Sequence, residues 1–120
     1  MINTITIEGR IVKDIELKGN DNKFLSNTIA VYGGKDKEEN EITYFFDFKA
    51  FNYNANKLNA HATKGSYILI KGDLRQDKWE KDGNTYTKAV IYASDIMIAD
   101  AKKVDQPKEE EKPDADDMSW

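Results

Sequence analysis

The chain has 120 residues, enough for a single domain that buries its own core. It has no cysteine and one histidine, which excludes disulfides and thiolate metal sites and argues against a histidine metal cluster, so we expect no metal and no other cofactor. There is no signal-peptide pattern and no uncharged apolar run of about 18 residues. We therefore expect a soluble, cytoplasmic protein.

The charges are unevenly distributed. The 18 basic and 22 acidic residues give a net charge of −4. Residues 1–98 hold 14 of each sign, whereas residues 99–120 hold 4 basic and 8 acidic residues. Because residues 1–98 are neutral overall, their net charge neither favours nor excludes the binding of a nucleic acid. The positions of the cations on the fold are therefore more informative than their number.

Residues 2–17 and 23–32 alternate between apolar and polar side chains, and we predict the first two strands there. Gly9 inside the first strand suggests a bulge or a bend. Residues 33–40 are predicted to be a flexible polar hairpin loop. The loop has glycines and lysines but lacks the spacing of a phosphate-binding Walker motif.

Residues 41–52, EITYFFDFKAFN, are predicted to be the third strand because they are rich in aromatic residues. The face expected in the core carries Ile42, Tyr44, Phe46, Phe48 and Ala50. The other face combines Asp47 and Lys49, which favour water, with the rings of Phe45 and Phe51. Exposed rings beside a lysine suit a single-stranded nucleic acid, because bases stack on rings and phosphates need cations. If the sheet were covered on both sides, these rings would be ordinary core.

Residues 54–63 are predicted to be a short helix that is capped by Asn54 and ended by Gly65. His61 lies on this helix without a chelating or basic neighbour, so we do not expect it to belong to a functional site.

Residues 67–79 are predicted to be the fourth strand, with Leu74 on its inner face and Trp79 on its charged outer face. The alternative for Trp79 is a ring folded back over the edge of the core. Asp82 and Gly83 are typical of a tight hairpin turn. The fifth strand is then expected at residues 85–98, with a core face made of Val90, Tyr92, Ile96 and Ile98. Ile91 and Met97 lie on its other face, so part of this strand is expected to be covered on both sides.

Residues 99–120 are rich in charge and contain two prolines, so we expect a disordered acidic tail. The tail ends in DADDMSW. A terminal tryptophan after acidic residues is typical of a peptide that inserts into a partner's groove. A solubilising tail that happens to end in tryptophan is the alternative.

Three strands, a helix and two further strands make an all-β protein with the element order of the OB-fold. This fold is a five-stranded barrel with its helix between strands three and four. OB-folds bind single strands across strands two and three and the adjoining loops. The exposed rings inferred above fall on strand three and on the hairpin after strand four, which would be one concave face.

The segment from Lys64 to Trp79, KGSYILIKGDLRQDKW, resembles the signature of bacterial and phage single-stranded DNA-binding proteins. That signature is Lys-Gly-Ser, an apolar strand, Gly-x-Leu-Arg and a tryptophan on the hairpin. The resemblance covers residues 2–98 and the last five residues. It implies a domain at residues 1–98 that is not an enzyme and binds single-stranded DNA in replication, recombination and repair. It also implies a homo-oligomer, more often a tetramer than a dimer.

Carried over by position, the resemblance implies base stacking on Phe45, Phe51 and Trp79. Tyr32, at the end of the second strand, is a further candidate for stacking. The cations expected to neutralise phosphates are Lys35, Lys37, Lys49, Arg75, Lys78 and Lys81. The tip expected to recruit replication and repair proteins is Asp116, Asp117, Met118, Ser119 and Trp120.

Several positions depart from the family pattern. Phe45 stands where tryptophan is frequent, and Asp47 puts a negative charge on the binding face. The tip ends in Trp120 without a preceding proline, and the linker is short, which favours a phage or plasmid version. Two other functions stay open. One is an OB-fold module for protein assembly of the primosome type, which Asp47 and the neutral body favour, and the other is RNA binding. No motif positions a catalytic group, so an enzyme is not expected.

Overall fold

The computed structural model describes residues 1–100 as a closed barrel of five strands with one helix. The elements are β1 (Ile5–Ile11), β2 (Phe24–Lys35), β3 (Glu41–Phe51), α1 (Tyr53–His61), β4 (Tyr67–Lys81) and β5 (Asn84–Ile98). Around the barrel the strands follow the order β1-β2-β3-β5-β4, and β3 pairs with β5 in parallel while the other pairs are antiparallel. The predicted all-β OB-fold, with its helix between the third and fourth strands, is confirmed.

The core lies inside the barrel and under the helix. Its largest fully buried side chains are Phe48, Leu25, Ile29, Leu58, Ile68, Ile70, Ile91 and Ile96. Because these residues come from four strands and the helix, closing the barrel and docking α1 bury one common apolar surface. No helix within residues 1–100 is long and apolar enough to cross a membrane.

Strand boundaries differ from the sequence-based ones mainly near the turns. β1 ends at Ile11, so the predicted strand at residues 2–17 was too long. β2 runs on to Lys35, which places the first residues of the predicted 33–40 loop in the strand. A register shift between Tyr32 and Lys35 accommodates them. Asp82 and Gly83 both have positive φ angles, as the predicted tight turn requires.

Gly9 is a site of close approach between two strands. Neither ladder of β1 shows a register shift at this residue, so the predicted bulge is wrong. A Cβ atom at Gly9 would lie 2.2 Å from the carbonyl oxygen of Ala30. Glycine therefore lets the backbones of β1 and β2 come together where the barrel closes.

The start of α1 also differs from the prediction. Asn52, with a positive φ of 47°, precedes the helix, and no side chain caps it. Asn54 lies inside the first turn and is buried, and its amide donates a hydrogen bond to the carbonyl of Ser94 at 3.1 Å. Asn54 therefore joins the helix to β5 instead of capping the helix.

Two aromatic residues predicted in the core are exposed. Tyr44 is 51% exposed and Phe46 is 42% exposed, although Phe48 and Ala50 on the same face are fully buried. Tyr44 and Phe46 lie on the part of β3 beyond its pairing with β5, which is limited to Phe48 and Lys49, so their rings are only partly covered within residues 1–100. Leu74, also expected inside, is 44% exposed on the long β4–β5 hairpin.

A one-residue irregularity in β5 changes the face on which Tyr92 lies. Lys71 pairs with Asp95 but the next residue, Gly72, pairs with Ala93, so Ser94 is an extra residue in β5. Because one inserted residue reverses the alternation of side chains, Tyr92 lies on the outer face instead of the predicted core face. Val90 and Ile91 are both buried, as expected for a strand covered on both sides.

The predicted acidic tail began at residue 99, but Ala99 and Asp100 are tied to the backbone of Tyr67 by hydrogen bonds of 2.9 Å. Residues 101–120, including the predicted tip Asp116, Asp117, Met118, Ser119 and Trp120, lie outside the described residues.

Candidate nucleic-acid interface

The outer face of β2, β3, β4 and β5 carries most of the rings and cations that the sequence points to. Phe45 is 62% exposed, Phe51 40% and Trp79 44%. The rings are therefore open to solvent, and the alternatives in which they are core residues do not hold. Tyr32 is exposed too, and it lies two pairs beyond Phe45 along the β2–β3 ladder, on the same face.

Phe51 is the centre of a row of three rings, which we call the aromatic stack: Phe24, Phe51 and Tyr92. Phe24 is the β2 partner of Phe51, and their ring centroids lie 6.4 Å apart with planes at 29°. On the other side the Tyr92 ring lies 5.8 Å from Phe51 with planes at 25°. Arg75 continues the row, with its guanidinium carbon 4.4 Å from the Tyr92 centroid. These near-parallel groups form a continuous row of π-surfaces against which a nucleobase can stack.

A second cluster lies on the β4–β5 hairpin and is called the hairpin pair: Trp79 and Tyr86. These residues are partners in the antiparallel ladder, and their rings are stacked with centroids 5.7 Å apart. The Lys88 ammonium lies 6.0 Å from the centroid of the Trp79 ring. A cation at this distance from an indole is held by a cation–π interaction and remains close to any base that stacks on the ring.

Two lysine–aspartate bridges lie between the aromatic stack and the hairpin pair. The Lys49 ammonium is 2.7 Å from the Asp77 carboxylate, and the Lys88 ammonium is 2.8 Å from the Asp47 carboxylate. The bridge from Lys88 to Asp47 connects the hairpin pair to β3, the strand that carries Phe45. The two ring clusters therefore belong to one continuous face.

Hydrogen bonds from the lysines lower the pKa of both aspartates. The pKa of Asp47 is lowered chiefly by the hydrogen bond from Lys88, with a smaller contribution from the Thr28 hydroxyl. The pKa of Asp77 is lowered by Lys49 first and by the Tyr92 hydroxyl second. Both carboxylates are therefore charged at neutral pH and remain paired with their lysines.

The other predicted cations are distributed around this face. Arg75 also pairs with Asp73 at 2.7 Å. Lys78 lines an open cleft of about 480 Å³ together with Lys49, Trp79 and Lys88. Lys81 is exposed at the end of β4. Lys35 and Lys37 lie apart from this cleft at the tip of the β2–β3 hairpin, where Lys35 is 3.8 Å from Glu39.

Sequence reasoning missed four residues of this face: Phe24, Tyr86, Lys88 and Tyr92. Phe24 could have been found by extending the β2–β3 hairpin, since that register sets it opposite Phe51. The Asp-Gly turn likewise predicts that Tyr86 pairs with Trp79 and that Lys88 pairs with Asp77. The same register sets Tyr92 opposite Asp73 on the outer face, and it was missed because alternation with Ile96 and Ile98, across the extra residue Ser94, placed it in the core. Within residues 1–100 no group of three or more histidine and acidic side chains could hold a metal ion.

A closed five-stranded barrel with stacked rings and cations across one open face belongs to the class of OB-fold proteins whose surface suits a single-stranded nucleic acid. More narrowly, residues 2–99 match the single-strand binding protein family, and the chain belongs to that family. Membership of a family of binding proteins supports the expectation that the chain is not an enzyme.

Individual relatives agree with this assignment. The chain is similar to a single-stranded DNA-binding protein of Aquifex aeolicus, with 31% identity over 108 residues that cover 86% of this chain and 74% of the relative. A protein of the same description from Staphylococcus epidermidis is 31% identical over 104 residues, covering 85% and 79% of the two chains.

Solved structures share the fold. A Plasmodium falciparum single-stranded DNA-binding protein, solved in complex with single-stranded DNA, superposes with a TM-score of 0.69 at 16% identity. A small single-stranded DNA-binding protein from Streptomyces coelicolor superposes with a TM-score of 0.67 at 20% identity. Each match covers 82% of this chain and 95% of the other.

Proposed function

We propose that the protein binds single-stranded DNA without strong sequence preference, and that it protects and organises the strand in replication, recombination and repair in the cytoplasm of a bacterium or of a phage host. The observation that carries this proposal is the row of solvent-accessible rings and cations on one face of the barrel. Membership of the single-strand binding protein family supports it.

In the proposed mechanism, bases stack on Phe45, Phe51, Trp79 and Tyr32, each contributing about 1–3 kcal/mol. Phe24, Tyr86 and Tyr92 support these rings from behind or beside them. Stacking uses the π-face that all four bases share, so the affinity should depend little on sequence. Duplex DNA keeps its base faces covered and should bind poorly.

Phosphates would be neutralised by Lys35, Lys37, Lys49, Arg75, Lys78 and Lys81, to which the geometry adds Lys88. Each phosphate contact releases counterions, so binding should weaken as salt rises. The lysines at the tip of the β2–β3 hairpin would hold the strand at a distance from the ring clusters and so lengthen the binding site.

The protein is also proposed to form a homo-oligomer, with a tetramer favoured over a dimer. Tyr44 and Phe46 support this, because two neighbouring aromatic rings that face water on an unfilled sheet surface are typical of an interface. Their ring centroids lie 6.4 Å apart, so they form one apolar patch. The mass measured by light scattering distinguishes a monomer, a dimer and a tetramer.

The acidic tip, Asp116, Asp117, Met118, Ser119 and Trp120, is proposed to recruit replication and recombination proteins. Its aspartates and terminal carboxylate would contact basic residues around an apolar groove that accepts the tryptophan. Deletion of residues 114–120 should abolish capture of a helicase or polymerase while strand binding persists. Undiminished capture would reject this role.

A competition experiment tests the main proposal. Labelled poly-dT is displaced by unlabelled single-stranded DNA, single-stranded RNA or duplex DNA at two salt concentrations. The proposal expects single-stranded DNA to compete best, duplex to compete poorly, and all affinities to fall with salt. Stronger competition by RNA would favour RNA as the ligand.

A second candidate function is a protein-assembly module with little affinity for DNA. Ion pairing favours it, because Lys49, Arg75 and Lys88 are each matched by an aspartate on the same face. Failure of poly-dT to bind at low salt would select this candidate over strand binding.

A further inference from the structure

The two lysine–aspartate bridges lie where a bound strand would cross the face. Lys49 and Lys88 line the 480 Å³ cleft beside Trp79, and Asp77 lines it with them. A phosphate that enters this cleft meets lysines that already have a carboxylate within 2.7–2.8 Å. Their positive charge is therefore largely compensated before any ligand arrives.

Each aspartate is held in place by a second hydrogen bond from a neighbouring strand. The buried Thr28 hydroxyl donates to Asp47 at 2.9 Å, and the Tyr92 hydroxyl donates to Asp77 at 2.7 Å. The carboxylates are consequently fixed to the sheet, whereas the lysine side chains are long and flexible. When a phosphate competes for a lysine, the lysine can move but the aspartate stays on the face.

We propose that Asp47 and Asp77 are built-in competitors of the phosphate backbone, which hold Lys88 and Lys49 and thereby limit both the affinity and the salt dependence of strand binding. The inference rests on the proposed function. It gives a role to two acidic residues whose negative charge would otherwise only weaken the binding of a strand. Lys49 and Lys88 then contribute less to phosphate binding than they would without their aspartates.

The proposal has a quantitative consequence. Each phosphate contact on a single strand adds about 0.7 to the slope of log affinity against log salt concentration. Freeing one lysine should therefore steepen the slope by about 0.7, and freeing both should steepen it by about 1.4. Removing one negative charge about 4 Å from a phosphate should also raise the affinity about fivefold at low salt.

The experiment measures poly-dT affinity of the full chain at several salt concentrations for Asp47→Asn, Asp77→Asn and the double variant. Asparagine can still accept the hydrogen bonds from Thr28 and Tyr92, so the fold should persist. Asp95→Asn is the control for net charge. Asp95 is exposed near the far end of β5 and forms no ion pair within the described part of the chain.

A further variant separates a local effect from a general one. Adding Lys88→Gln to Asp47→Asn removes the freed lysine, so the gain in slope should disappear. Circular dichroism of each variant verifies that the barrel is folded. A steeper slope and tighter binding for the asparagine variants, with no such change for Asp95→Asn, would support the proposal.

The outcomes also separate this inference from the proposed function. If the wild type binds poly-dT and the Asp47 and Asp77 variants behave like Asp95→Asn, the inference is overturned while strand binding stands. If the variants bind poly-dT but the wild type does not, the aspartates prevent binding altogether. In that case the proposed function is rejected and the inference stands. If neither binds, both are rejected.

Discussion

The ring of Phe51 on β3 stacks on the ring of Tyr92 on β5, with centroids 5.8 Å apart and planes inclined by 25°. These two strands are the parallel pair that closes the barrel, and Tyr92 pairs in register with Lys49. The pairing of β3 with β5 therefore both closes the barrel and brings the rings of the stacking surface together. A change that loosens the pairing of β3 with β5 should impair folding and binding together.

Replacing an outward ring should weaken strand binding without unfolding the protein. We expect Trp79→Ala and Phe45→Ala each to cost about 1–3 kcal/mol, or about 5- to 150-fold in affinity, because a base loses its stacking partner. Fluorescence anisotropy with labelled poly-dT measures this. Tyr53→Ala is the control, since Tyr53 is exposed at the start of the helix and belongs to neither ring cluster. Equal losses for all three variants would contradict the assignment.

Loss of the Tyr92 hydroxyl should affect stability more than binding. Tyr92→Phe keeps the ring of the aromatic stack but removes the 2.7 Å hydrogen bond to Asp77. We expect a loss of about 1 kcal/mol in the free energy of unfolding, measured by urea denaturation. Affinity for poly-dT should change by less than about threefold, since stacking is retained. A much larger loss of binding would mean that the hydroxyl itself contacts the strand.

Acid should destabilise the protein through the two bridges. The pKa values of Asp47 and Asp77 are lowered from 3.8 in the folded state, so the folded protein binds these protons more weakly than the unfolded chain. This part of the stability is present above the unfolded-state pKa and is lost as the pH falls through the folded-state values. The midpoint of thermal unfolding should therefore fall less steeply below pH 4 in Asp77→Asn than in the wild type. Parallel curves would show that Asp77 contributes no pH-dependent stability.

A methyl group at Gly9 should destabilise the barrel. In Gly9→Ala the new Cβ would approach the Ala30 carbonyl oxygen to 2.2 Å and the side chain of Ile29 to 2.9 Å. Relieving that overlap requires β1 and β2 to move apart, and we expect a cost of about 1–3 kcal/mol by chemical denaturation. Thr6→Ala, an exposed change on the same strand, should cost much less. Equal stability of the two variants would contradict the close approach.

Charge on the exposed aromatic patch should prevent self-association. We expect Phe46→Lys to lower the molar mass measured by light scattering. The circular dichroism spectrum should stay unchanged, because the Phe46 ring is 42% exposed within the chain and is not needed for the core. Lysine at an apolar interface would be buried without a partner. Tyr53→Lys is a control for added charge at an exposed ring on the helix. An unchanged mass for Phe46→Lys would show that this patch is not the interface.

Much of the site was predictable from local pattern. Alternation along β3 sets Phe45 and Phe51 beside Asp47 and Lys49, and a strand of that pattern turns its charged face to water. The same argument applies to Trp79 on β4. These predictions hold because a charged neighbour on the same face is costly to bury whatever the rest of the fold does.

What the chain determined by itself was the set of strands, the tight turn at Asp82 and Gly83, and the outward direction of three rings. Tertiary structure decided that Tyr44 and Phe46 are exposed, because they lie on the part of β3 beyond its pairing with β5. It also decided that Tyr92 stacks on Phe51, since β5 lies alongside β3 only in the closed barrel. The alternation of side chains along a strand is a local property of the sequence. Strand register and the burial of a face depend on which strands lie alongside, and these neighbours are known only from the closed barrel.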